Sequence, residues 1–195
     1  MKLSDIVRDP QITSPFGIVR PFSRRPHAGI DVISKSGERF VRAPGEGLVV
    51  WQYNITSRDR SAATAVLDEK RSEWPLGWYF SDIYGMIVTW LDTHSNLALS
   101  FCHMEPFQTA DIAQHNGILL WETRVREQNK YNVWREWYGN QSNPVRILRG
   151  TIIGVYSDVG SSLGAHVHIE ARHMEVGEDS AEEWKVFDPT SVLEI

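Results

Sequence analysis

The sequence predicts a mainly β protein, an antiparallel β-sheet of sandwich-like build, and three features lead there. Short runs of apolar and β-branched residues recur along its 195 residues. Glycine and proline interrupt them at close intervals, and the interruptions carry turn chemistry. That pattern suits many short strands better than long helices.

The elements follow in order. Residues 10–26 hold Pro10, Pro15, Gly17, Pro21 and Pro26, an irregular lead-in hostile to helix. Strands are expected at 29–33, 39–43 and 47–53. Between the last two, Pro44-Gly45-Glu46-Gly47 supplies a fixed φ and then freedom for positive φ, as a turn requires. Residues 54–84 are polar and charged, with a helical turn expected around 62–72. Strands resume at 86–91 and 97–102. Residues 107–149 include Trp121, Tyr131, Trp134, Trp137 and Tyr138, and the part from 110 to 137 is expected to be partly helical. Both stretches read as long insertions between core strands, and the aromatics of the second speak against disorder. The last strands are expected at 151–156 and 166–171, before an acidic, solvated loop at 175–183. No internal repeat or interdomain linker is visible, so one domain is expected over 1–195.

Composition narrows the function classes. A formal charge of −5 and a pI near 5.8 argue against a nucleic-acid partner, which needs a basic surface to neutralise phosphates. The single cysteine, Cys102, excludes an intramolecular disulfide and a cysteine-based zinc knuckle. No run approaches the ~18 apolar residues of a membrane span. The first ten residues lack the apolar core of a secretory signal, so none is expected.

Three local patterns carry chemistry. Gly164-Ala165-His166-Val167-His168-Ile169-Glu170 places two histidines at i, i+2, side by side on one face of a strand. Such a pair serves as half of a metal or acid–base site, and equally as two exposed histidines on an edge strand. His27-Ala28-Gly29-Ile30-Asp31 brings an imidazole and a carboxylate, both good zinc ligands, to either side of a glycine. His103 ends the run 97–102; a lone histidine there is more often structural than catalytic. Combined, a His, Asp, His ligand set leaves one tetrahedral position for water, with two histidines to spare for proton transfer. Glu170, on the face of His168, reads as a hydrogen-bonding partner of that imidazole. Cys102 is expected to be buried, and His94, His115 and His173 solvated.

Taken together these motifs resemble the M23 family of zinc metallopeptidases, the lysostaphin- and LytM-type endopeptidases that cut peptidoglycan cross-links. Ile12-Thr13-Ser14-Pro15-Phe16-Gly17 resembles the family's Ser-x-Phe-Gly entry segment, and His27 to Val32 its His-x-Gly-Ile/Val-Asp motif. Val41-Arg42-Ala43-Pro44-Gly45-Glu46-Gly47-Leu48-Val49 is similar to its Val-x-Ala-Pro hairpin, and Tyr84-Gly85-Met86-Ile87-Val88 to its Tyr-Gly-Asn-x-Val strand. Phe101-Cys102-His103-Met104 stands where the family has Tyr-x-His-Leu. Gly150 to Gly154 resembles Gly-Gln-x-Ile-Gly, the His166 segment Gly-x-His-Leu-His-Phe-Glu, and Asp188-Pro189 to Leu193 the closing Asp-Pro-x-x-x-Leu. Departures are Met86 for the usual Asn, Ile169 for the usual Phe, and the length of the two insertions.

The resemblance implies a LytM-type β domain with Zn²⁺ held by His27, Asp31 and His168, and His103 and His166 as the catalytic pair. It implies hydrolysis of peptidoglycan peptides at the bacterial cell wall, with the insertions at 54–84 and 107–149 walling the groove. Trp121, Trp134, Trp137 and Tyr138 would then grip a glycan strand or, more simply, pack over the sheet. Other readings are a non-catalytic wall-binding or regulatory module on the same fold, and a cupin-type metal protein. Cupins place their glutamate farther along and lack the entry segment. A further reading, motivated by the missing signal, makes the chain a component of a phage tail or other virion, with other tail proteins as partners.

Overall fold

The computed structural model describes residues 1–20, 25–57, 86–116, 123–128, 134–139, 144–158, 162–176 and 182–195. A short helix α1 (Leu3–Ile6) leads into β1 (Pro10–Ser14), β2 (Ile30–Ser34), β3 (Phe40–Arg42) and β4 (Gly47–Ser57). Next come β5 (Met86–Asp92), β6 (Leu97–Met104) and the helix α2 (Pro106–His115). Strands β7 (Thr123–Gln128), β8 (Trp134–Gly139), β9 (Val145–Ile147) and β10 (Ile152–Val155) follow. The chain closes with β11 (Val167–Val176), β12 (Glu182–Phe187) and a 3₁₀ turn at Pro189–Ser191.

The expected class holds: the protein is mainly antiparallel β-sheet with few helices. Ten strands form one sheet in the order β1-β2-β11-β6-β5-β4-β8-β7, with β12 beside β11 and β9 beside β4. A second, two-stranded sheet pairs β10 with β3. Strand β6 is buried along its whole length, as expected of a strand covered on both faces, while β5 alternates. The core is built from Trp51, Trp90, Phe101, Leu99, Ile30 and Tyr156, among others. Two buried polar side chains tie the layers together. The Trp51 indole donates to the Ile153 carbonyl at 2.8 Å. The Tyr156 hydroxyl accepts from Ser34 N at 2.9 Å and donates to the Glu38 carbonyl.

Several elements differ from expectation. Pro10–Ser14 is a strand rather than part of the irregular lead-in; among the described residues β1 pairs only with β2, and an edge strand tolerates proline at its first position. Among its described residues the second insertion is helical over Pro106–His115. Glu105 caps that helix through Gln108 N and Pro106 occupies its first turn. The later part forms the antiparallel pair β7–β8, and β8 pairs with an extended β4. Alternation in Thr123-Arg124-Val125-Arg126 and the aromatic residues of β8 favour strand there. The acidic stretch is partly strand as well, since β11 runs to Val176 and β12 starts at Glu182. The helical turn expected at 62–72 lies outside the described residues, as do Trp121 and Tyr131.

Candidate metal centre

Strand register places the first two candidate ligands. Asp31 on β2 is directly opposite His168 on β11, so both side chains leave the same face of the sheet. His27 precedes β2 and is held by two backbone hydrogen bonds: Gly17 N donates to the His27 carbonyl at 2.8 Å, and His27 N donates to the Ile18 carbonyl at 2.9 Å. Gly29 lets this segment lie against β11. A Cβ there would sit 2.2 Å from the Ile169 carbonyl oxygen and 2.9 Å from His168 Cε1, which explains a glycine between the two ligand candidates.

The three side chains converge. His27 Nε2 and His168 Nδ1 are 2.9 Å apart. Asp31 Oδ1 is 2.9 Å from His168 Nδ1 and 3.1 Å from His27 Nε2. Four donors at ~2.0–2.1 Å around a tetrahedral zinc would be separated by about 3.3 Å, close to these spacings. All three residues are buried, and the cluster can hold a metal ion.

The partners of each ring set its tautomer. His27 Nδ1 donates to the Pro15 carbonyl at 2.9 Å, which leaves the lone pair on Nε2, toward the cluster. His168 Nε2 donates to Glu170 Oε1 at 3.2 Å, leaving Nδ1 toward the cluster. Glu170 accepts in turn from Arg172 at 2.5 Å, the carboxylate–histidine arrangement that orients metal ligands. Burial opposes ionisation of Glu170, but hydrogen bonds from His168 and Arg172 outweigh it and lower its pKa to about 2. The same contest at Asp31, burial against its polar contacts with the His168 and His27 rings, leaves its carboxyl far below the usual carboxylate range. His168 is pulled down by burial and raised more strongly by Asp31 and Glu170, with a net rise.

His103 and His166 stand beside the cluster. Their ring centroids are 4.7 Å apart, and His103 is 6.1 Å from His168. His103 has φ +60°, the left-handed region. Cys102 is opposite His168 in register and shares its face, so regular alternation would send His103 to the other face; the left-handed residue turns it back. His166, just before β11, donates from Nδ1 to the Gly164 carbonyl at 2.8 Å, and its Nε2 is 3.6 Å from Asp31 Oδ1. A groove of about 760 Å³, lined by Thr13, Ser14, Asp31, Leu163 and His166, opens over the site.

Thus the five residues singled out from the sequence all come together, and Glu170 contacts His168. Cys102 is buried, and burial pushes its thiol up. His94 and His115 are exposed, but His173 is half-buried and stacked on Phe187 at 4.4 Å. Sequence reasoning missed Arg20 and Arg172. Arg20 donates to Asp31 Oδ2, to His27 Nε2 at 2.6 Å and to Ser14 Oγ at 3.2 Å. No spacing signal marks an arginine in a proline-rich lead-in.

No helix among the described residues is long and apolar enough to cross a membrane. No family model and no curated protein matches the chain. Among solved structures the chain is similar to LytU, at 16% identity over 95% of this chain and 85% of that one, with a TM-score of 0.46. It is also similar to lysostaphin in a solution structure, at 13% identity and a TM-score of 0.44, with 94% of this chain covered. It spans about half of that lysostaphin chain, 49% of its length.

Proposed function

We propose that this protein is a zinc-dependent endopeptidase that hydrolyses peptide cross-links of bacterial peptidoglycan. The observation that carries the reading is the convergence of His27 Nε2, Asp31 Oδ1 and His168 Nδ1 beside two further imidazoles. The ordered motifs from Ser14 to Leu193 supply the substrate class. In this reading the chain is one peptidase domain.

His27, Asp31 and His168 would hold the ion, with Glu170 keeping the His168 ring in its ligating tautomer. A zinc ion held there would supply Lewis acidity, polarising water and the scissile carbonyl. His166 presents Nε2 to the cluster because Nδ1 is committed to Gly164. It accepts the proton of a water attacking the scissile carbonyl and passes it to the leaving amine. His103, packed on His166, donates to the carbonyl oxygen as negative charge develops. The groove over Asp31 and His166 receives the peptide.

Digestion of purified sacculi of differing cross-bridge chemistry, with and without chelator, tests this reading. New amino termini that appear only with zinc would support it; an undiminished digest after complete chelation would overturn the metal dependence. Asp31→Ala and His168→Ala should lose bound zinc, and unchanged stoichiometry by elemental analysis would refute the ligand set. Detection of the chain in purified phage particles checks the expected delivery by a tail or virion.

A further inference from the structure

We propose that Arg20 is an internal cation that competes with the metal ion for His27 and Asp31. The inference rests on the metal centre proposed above and adds a residue that the sequence motifs did not single out.

The geometry at His27 is the first argument. Arg20 Nη2 lies 2.6 Å from His27 Nε2, the nitrogen that faces the ligand cluster. Because His27 Nδ1 donates to Pro15, Nε2 carries the ring's one lone pair. A guanidinium offers only donors and remains charged at any ordinary pH. Arg20 and a metal ion therefore cannot both use that lone pair. At Asp31 the situation differs: Arg20 takes Oδ2, while Oδ1 faces the two histidines. Asp31 can serve both cations at once; His27 can serve one.

Charge is the second argument. The Arg20 side chain is 24% exposed and that of Asp31 only 9%, so solvent screens this pair incompletely. Without metal, the guanidinium compensates the buried carboxylate and keeps Asp31 and His27 beside each other. With metal, it becomes a like charge a few ångströms from a dication, where repulsion is strong in a partly desolvated site. The same residue stabilises the metal-free arrangement and weakens the metal-bound one.

Tethering is the third. The paired backbone of Gly17, Ile18 and His27 and the bridge between Val19 and Pro26 hold the segment ending at Arg20 beside His27. Its effective concentration at the site is therefore high. A displaced guanidinium swings into the groove that it already lines with Ser14 and His166. Cations that bind imidazole weakly, such as Mg²⁺ and Ca²⁺, would not displace it, whereas zinc would.

The test uses the full chain stripped of metal, with zinc titrated against a chromophoric chelator. Arg20→Ala should bind zinc about tenfold more tightly than the wild type, a change on the scale produced by groups that hydrogen-bond to metal ligands but of opposite sign. Its zinc-free melting temperature should fall and the gap between zinc-free and zinc-loaded melting should widen. Should Arg20→Ala fail to fold without metal, Arg20→Gln keeps a neutral donor near Ser14 and Asp31 and carries the same expectation. Equal or weaker zinc binding by a folded variant overturns the competition. Failure of the metal centre itself reads differently: Asp31→Ala and His168→Ala would then keep the zinc stoichiometry of the wild type.

Discussion

Asp31 and His168 reach the site from two hydrogen-bonded strands in register, whereas His27, His103 and His166 reach it from backbone that departs from strand geometry. The first pair is placed by the sheet: shifting β2 against β11 by one residue would turn Asp31 to the opposite face. The three off-register imidazoles are placed by local devices instead. His27 depends on the Gly17 and Ile18 hydrogen bonds, His103 on a left-handed φ, and His166 on Gly164 and Ser162. Ser157 joins two of them, since its N–H donates to the His103 carbonyl and its carbonyl accepts from His166 N. In the reading proposed above, the sheet holds two of the three ligands, while the irregular segments hold the third, His27, and the two imidazoles assigned to proton transfer.

If that division is right, the sharpest separation comes from the proton-handling pair. His103→Asn and His166→Asn should each lower turnover by about 10²–10⁴-fold while leaving zinc stoichiometry at the wild-type value. Asparagine is chosen at 103 because it tolerates positive φ. His103→Val would add backbone strain of roughly 1–2 kcal/mol. Near-normal turnover of either asparagine variant on sacculi would remove that residue from proton transfer.

The register-placed half breaks at Gly29. In Gly29→Ala the new methyl meets a backbone carbonyl, which cannot rotate away, and the His168 ring. Destabilisation of about 2–3 kcal/mol and weakened zinc binding are expected. Gly17, which anchors the irregular half, is a useful control: its φ is +75° and an added Cβ would touch nothing. Gly17→Ala should cost only about 1 kcal/mol, from backbone strain alone. Thermal unfolding of the metal-free variants compares the two; equal losses would show that the close approach at Gly29 has little effect.

A smaller effect is expected one contact away from the ion. Glu170→Gln keeps the shape but exchanges the acceptor that fixes His168 Nε2–H for an amide that can also present donors. Zinc affinity should fall by about tenfold with the ligands untouched. Chelator competition that finds no change would leave Glu170 with a purely structural part in the Arg172 ion pair.

The two halves also differ in how legible they were. The strand runs around Asp31 and His168 follow from β-branched residues bounded by glycine and proline, and a two-residue period puts His166 and His168 on one side. The edge strand β1 was hidden by Pro10 and Pro15, because proline counts against strand unless the edge position is known. The β7–β8 pair was hidden by a mixed charged and aromatic composition that serves a helix face equally well. His103 resisted local reasoning most, since alternation from Cys102 sends it to the wrong face and only the backbone torsion reverses that. Arg20 had no signal in spacing or type; its place depends on the backbone pairing of Gly17 and Ile18 with His27.

The turn joining β5 to β6 lies at the end of the hairpin remote from His103, and it offers the mildest test of the same division. Asp92 ends β5 and clamps that turn: one carboxylate oxygen accepts from Ser95 Oγ at 2.6 Å and the other from His94 N at 2.9 Å. These hydrogen bonds, first that of Ser95, hold its carboxyl below the ordinary value. A depressed carboxyl stabilises the fold at pH above its unfolded value; that contribution is lost as pH falls through the lower, folded value. Because the site is largely solvated, Asp92→Ala should cost only about 0.5–1 kcal/mol at neutral pH. The difference from wild type should shrink progressively as the medium is acidified below the usual aspartate range. Zinc affinity should not respond, because the register of β6 is also held by buried Trp90, Leu99 and Phe101 along the hairpin. A loss of zinc in this variant would mean that the strands transmit small turn displacements to the metal centre, and the sheet would then be a softer support than its register suggests.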